Sequence, residues 1–131
     1  MNSFTTQRYL DRVMDPSGGI RKQDGAKILA RIGENKIGRD ITWDWIRSNW
    51  KYISSYFDTS ISSYLGRAIS AITSDFNTDL QLQELEDFYH TNKAYLRTAE
   101  RQTKNAIQWV RVNNAWMKRN FGTIVNWLVT K

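Results

Sequence analysis

Few side chains in this sequence have the type and spacing that chemistry requires. The single histidine, His90, has no second histidine and no cysteine to complete a zinc-ligand set. It reads as a helix-end residue facing its own backbone carbonyls or water. The carboxylates Asp44 and Asp87, or Glu84 and Glu86, could form a general acid–base pair only if the fold converged them in a cleft. Their setting favours a solvated helix face. No HExxH, phosphate-binding GxxxxGK, GxGxxG or GxSxG pattern occurs. The absence of cysteine excludes a disulfide framework, a thiolate nucleophile and a thiolate metal site. The residues therefore predict no catalytic group and no metal ligand set within this chain.

The stretch ITWDWIRSNW, residues 41–50, raises a binding possibility through Trp43, Trp45 and Trp50. At about 100° per residue, Trp43 and Trp50 share one line with Ile46, while Trp45 is turned about 200° from Trp43. That spacing makes a packing helix and not one flat aromatic platform. Trp43 and Trp50 are expected in the core, and Trp45 against a neighbouring helix.

The net charge of +6 is unevenly placed. Residues 1–91 carry 11 basic and 12 acidic side chains, whereas residues 92–131 carry 8 basic side chains and only Glu100 as an acid. Lys93, Arg97, Arg101, Lys104 and Arg111 recur near helical spacing and predict a one-sided stripe. Such a stripe is a solvated face, a phosphate-tracking surface, or a docking surface for the acidic segment Asp75–Asp87. No apolar run approaches the roughly 20 residues that span a bilayer, and MNSFTTQRYLDR lacks the build of a secretion signal. No membrane contact is expected from this segment.

The elements that would position these groups read as helices throughout, because the apolar period stays near 3.6 and no segment alternates as a strand does. Seven helices are predicted: Thr5–Met14, stopped at Pro16; Ile20–Ile32, closed by a left-handed Gly33; and Asp40–Phe57, capped by Asp40. Then come Ser60–Ser74, with Ile61, Tyr64, Leu65, Ala68, Ile69 and Ile72 inward, and a helix to His90 opened by a Thr78–Gln81 capping box. The sixth, from Ala94 or Thr98 to Val112, buries Ala106, Trp109 and Val110. The seventh carries Met117, Phe121, Ile124, Val125 and Leu128, after a turn at Asn113–Asn114. Short connections predict one all-α unit over residues 1–131, with antiparallel helix pairs stacked as a HEAT- or armadillo-like α-solenoid. The chain is expected to begin inside a longer solenoid.

Five separately placed blocks carry a resemblance. IRKQD at 20–24, IGRDITWDWIRSNWKYI at 37–53, FNTDLQLQELEDF at 76–88, NAIQWV at 105–110 and NWL at 126–128 follow in order and spacing. Together they resemble the C-terminal end of zinc aminopeptidases of the aminopeptidase N type, from about Ile20 to Leu128. The resemblance implies a non-catalytic solenoid end that caps a separate zinc-bearing catalytic domain of the same chain and encloses a cavity for peptide substrates. Zinc would then belong to the parent enzyme, with no cofactor in this fragment. The resemblance also implies that the helix reading SISSYLGRAIS approaches the active-site side. Arg67 then becomes a candidate for meeting a peptide carbonyl or terminal carboxylate, with Ser63 and Gly66 leaving room beside it.

The segment itself leaves localisation undecided; the resemblance implies a parent at the plasma membrane or outside the cell, with a cytoplasmic parent as the alternative. A stand-alone helical interaction module from a catalytically inactive relative is the rival reading. A nucleic-acid binder using Arg97, Arg101, Lys104 and Arg111 is the more distant one. Six tryptophans in a partial solenoid also predict an exposed apolar face through which two copies could pair.

Overall fold

The computed structural model describes residues 3–15, 17–57 and 62–130. They form α1 (Ser3–Val13), α2 (Lys22–Glu34), α3 (Lys36–Tyr56), α4 (Ser62–Thr73), α5 (Asp79–Leu96) and α6 (Glu100–Val129), with one 3-10 turn at Arg97–Ala99. Among the described residues there is no strand, so the all-α reading stands. The predicted stop at Pro16, the helix start at Ser60 and the inward place of Ile61 lie outside the described residues.

The joint between α2 and α3 differs from the expected one. Asn35 alone separates the helices, and its side-chain oxygen accepts from the amides of Ile37 at 2.9 Å and Gly38 at 3.4 Å. Asn35 is thus the N-cap, a role whose loss costs about 1 kcal/mol, and Asp40 is an exposed residue inside α3. Gly33 takes no left-handed conformation: it is buried and helical, and a Cβ there would overlap the Ile72 side chain. Its missing side chain lets α4 approach α2. Arg39 fastens this corner by donating to the Gly33 carbonyl at 3.2 Å and to Asp75 at 2.8 Å.

The α3 stripe packs as its spacing predicts, with Trp43, Ile46, Trp50, Ile53 and Phe57 all buried. Phe88 of α5 meets Trp43 and Trp50 edge-on at 5.3 and 5.4 Å between ring centres, and Phe76 meets Trp43 at 5.8 Å. Each such pair adds about 0.5–1.5 kcal/mol beyond area burial. Buried Thr42, Thr73 and Thr103 satisfy their hydroxyls on the carbonyls four residues back, so no polar atom is stranded there. The Thr78–Gln81 capping box forms in full and starts α5.

Contacts fix the helix directions. Along α2 and α4, Lys27 meets Tyr64 and Gly33 meets Ile72, so the two run the same way. Gly66 meets Gln102 and Ser74 meets Asn113, so α4 and α6 also run the same way. By contrast, Asp79 pairs with Lys118, Glu86 with Arg111 and Tyr89 with Glu100, which makes α5 and α6 an antiparallel hairpin.

The predicted sixth and seventh helices are one. Asn113 and Asn114 sit inside α6, not in a turn, because both side chains find partners on other elements. Asn113 donates to the carbonyls of Ser74 and Phe76, each at 3.2 Å, and buried Asn114 donates to Asp79 at 2.7 Å. Trp109, expected inside, is 59% exposed, and Ile107 takes the buried place instead.

Candidate functional surfaces

Ser63 and Arg67 lie four residues apart on α4, and both are exposed. The Arg67 guanidinium carbon is 5.5 Å from the centre of the Tyr64 ring, and Lys27 Nζ reaches the same ring from α2, also at 5.5 Å. Among the described residues no ion pair holds either cation. A tyrosine face carrying a guanidinium and an ammonium can take a carboxylate, which Arg grips with two parallel hydrogen bonds. The room expected at Gly66 is filled: Gln102 of α6 lies where a Cβ would go, so the open side of Arg67 is the one that Ser63 borders.

The candidate carboxylates are each tied to another side chain. Asp44 and Glu84 both pair with Arg47, and Glu84 also accepts from the Trp43 indole at 3.2 Å. Asp87 accepts from Gln83, and Glu86 pairs with Arg111. These groups join α3, α5 and α6 and leave no free acid–base couple. His90 is exposed inside α5, which continues to Leu96, with its ring 5.4 Å from that of Tyr89. Among the described residues no three His, Cys, Asp or Glu side chains gather as a metal-holding group, so a zinc centre does not fit them.

The basic stripe is partly committed. Arg111 reaches Glu86 at 3.1 Å and Lys104 reaches Glu100 at 3.6 Å, while Lys118, one turn beyond Asn114, reaches Asp79 at 2.8 Å. Asp79 is held below the ordinary carboxylate value of 3.8 by its hydrogen bonds to Lys118 and then Asn114, with the Lys118 charge adding to them. The Lys104 ammonium is raised, first by the Tyr89 hydroxyl and then by Glu100. Of the stripe residues, Arg111 alone pairs with the acidic segment of α5; Lys104 pairs within α6, and Lys118, outside the stripe, adds a second tie to α5.

Beyond Lys118 the character of α6 changes. Residues 121–130 are exposed without interruption, among them Phe121 at 58%, Trp127 at 55% and Leu128 at 61%. Of the apolar stripe expected for a seventh helix, Met117 is half-buried, whereas Phe121, Ile124, Val125 and Leu128 are exposed. Among the described residues no helix is long and apolar enough to cross a membrane.

One conformational signal escapes sequence reading. Arg97, at the end of α5, has φ 52° and ψ −125°, and it is the one non-glycine residue of positive φ among those described.

Residues 2–112 match the family described as the ERAP1-like C-terminal domain. The chain is 35% identical to Aminopeptidase Ey of Gallus gallus over 126 residues, which are 95% of this chain and 13% of that protein. It is 33% identical to Aminopeptidase N of Bos taurus over 121 residues, covering 92% of this chain and 12% of the relative. Glutamyl aminopeptidase of Sus scrofa is 34% identical over 128 residues, with 96% and 13% covered. The chain thus spans about an eighth of the length of these relatives, which places the matched region among proteins far longer than itself.

Proposed function

The chain belongs to the family of ERAP1-like C-terminal domains, and from that membership we propose that it is the non-catalytic C-terminal part of a zinc aminopeptidase. Its role is architectural: it caps the catalytic domain, encloses the peptide cavity and limits the size of substrate that enters. The family match over residues 2–112 carries this reading. The zinc and the catalytic groups belong to the parent's catalytic domain, and no step of the reaction is routed through residues of this chain. Helix directions support a solenoid of stacked pairs, since α2, α4 and α6 run alike, as successive repeats do. Ser63 and Arg67 face the cavity in this reading, and Arg67 with Lys27 offers cationic donors to a peptide carbonyl or terminal carboxylate. The exposed end of α6 offers a face for a second copy.

The test uses the parent enzyme with and without residues 1–131, given peptides of graded length and a folded protein with a free N-terminus. The cap should confine cleavage to short peptides, and its removal should either admit the folded substrate or abolish activity through lost packing. Identical length profiles in an active truncated enzyme overturn the reading. The rival, a stand-alone interaction module, keeps the same surfaces but requires a parent with no aminopeptidase activity.

A further inference from the structure

A second basic surface lies at the opposite end of α3 from the Asn35 cap. A groove of about 470 Å³ runs between the C-terminal half of α3 and the end of α5, lined by Ser48, Asn49, Lys51, Tyr52, Tyr95 and Arg97 among others, none of them acidic. Lys51 Nζ stands 5.3 Å from the centre of the Tyr95 ring. The Trp50 indole donates to the Tyr95 carbonyl at 3.1 Å and so fixes that wall. Asn49 donates its amide to the Trp45 carbonyl at 2.9 Å, which leaves its side-chain oxygen to accept from a ligand. Among the described residues the ion pairs engage Arg21, Arg39, Arg47, Lys104, Arg111 and Lys118, and neither Lys51 nor Arg97.

Arg97 is the unusual member. Its φ of 52° and ψ of −125° are those of the first central residue of a type II′ turn, where glycine is the relaxed choice. Here an arginine holds that position, beside a second unpaired cation and two tyrosines. Backbone strain of this kind gathers at ligand-binding positions, where the side chain is needed despite its backbone cost.

We infer that this groove binds an acidic peptide segment. One carboxylate lies between Arg97 and Lys51, in the charge-assisted geometry that arginine favours. The rings of Tyr52 and Tyr95 pack against the peptide, and Asn49 accepts a backbone N–H. The groove volume is within the roughly 300–1,000 Å³ of small-ligand sites, enough for a few residues. A nucleic-acid strand would need a longer run of phosphate contacts, and the neighbouring stripe cations Lys104 and Arg111 are already paired with carboxylates.

Fluorescence anisotropy of labelled hexaglutamate, titrated with the 131-residue chain, tests this directly. Saturable binding is expected, weakened about tenfold or more by Arg97→Gly and by Lys51→Met, and unchanged by Lys36→Met on exposed surface at the far end of α3. Arg97→Gly should melt at or above the temperature of the unsubstituted chain, which separates lost binding from lost folding. Lys51→Met, on another element, keeps the answer readable if glycine alters the end of α5. No binding of hexaglutamate, or binding that both variants leave intact, overturns the inference. Tighter binding of hexathymidylate with the same sensitivity to both variants also overturns it, because the groove would then be a phosphate-strand site.

Discussion

The side-chain amide of Asn114 donates to the carboxylate of Asp79 at 2.7 Å, and Lys118 reaches the same carboxylate at 2.8 Å. One acid in the first turn of α5 therefore holds two successive turns of α6. Its position at a helix N-terminus suits it, since the dipole favours negative charge there. This clasp lets α6 run unbroken through two asparagines that, read alone, prefer to leave a helix.

Replacing Asn114 by alanine should loosen α6 beyond the clasp. Amide exchange over residues 115–129 is expected to quicken about tenfold, the equivalent of one lost hydrogen bond, with residues 100–110 unchanged. An even change along the whole helix would show that the clasp has no local role.

The same pair predicts an acid sensitivity. Asp79 titrates below its ordinary value of 3.8 because Lys118 and Asn114 bond its ionised form. A carboxylate lowered in the folded state adds stability that is fully present above the unfolded value and is lost as pH falls through the folded one. The docking of α6 on α5 should thus hold at neutral pH and weaken below about pH 4. Asp79→Asn should be weaker at neutral pH and lose part of that acid dependence, as followed by exchange of the α6 amides. A variant with the full acid transition would place its origin in other carboxylates.

The asparagine pair also shows where reading the sequence stops. Period and residue type place the α3 stripe and the Thr78–Gln81 box because both depend on neighbours a few residues away. The continuity of α6 depends on Asp79, Ser74 and Phe76, between 35 and 39 residues from their partners, and no local pattern announces them. Gly33 and Asp40 fail for a related reason: glycine serves close helix approach as well as left-handed turns, and Asn35 is an equally good cap earlier in the chain. Arg67 and Ser63 come from resemblance alone. The Tyr64 ring shared by Arg67 and Lys27 requires α2 and α4 to be brought together, which spacing cannot supply.

Gly33→Ala tests the close approach. The added methyl would overlap Ile72, and overpacking of this kind costs about 1–3 kcal/mol. A lowered denaturation midpoint is expected, and the loss caused by the methyl should shrink in an Ile72→Ala background, which removes the Cγ1 atom it would overlap. A stable Gly33→Ala protein would mean that α2 and α4 can part at little cost.

Arg67→Ala, made in the parent enzyme, addresses the proposed cavity. Losing a cation that meets the substrate's terminal carboxylate should raise KM for free-acid peptides several-fold and leave their C-terminally amidated forms nearly unaffected. The stability of the chain should hardly change, because Arg67 is exposed and touches chiefly the Tyr64 ring. Equal effects on the two peptide forms would place Arg67 outside the cavity.

The end of α6 supplies the last prediction. An isolated helix of this length is marginal in water, yet the end of α6 stays helical while presenting Phe121, Ile124, Val125 and Leu128 to solvent. Contiguous apolar surface of this kind marks an interaction site, and a stable pairing needs roughly 800 Å² per partner. Lys118 is held on Asp79, so it leaves the stripe free of an unpaired charge at its inner end. Sedimentation of the 131-residue chain should therefore show a concentration-dependent dimer, and Phe121→Lys with Leu128→Lys should return it to a monomer with an unchanged melting profile of the body. A wild-type chain that stays monomeric at every concentration would instead assign this stripe to a different partner surface.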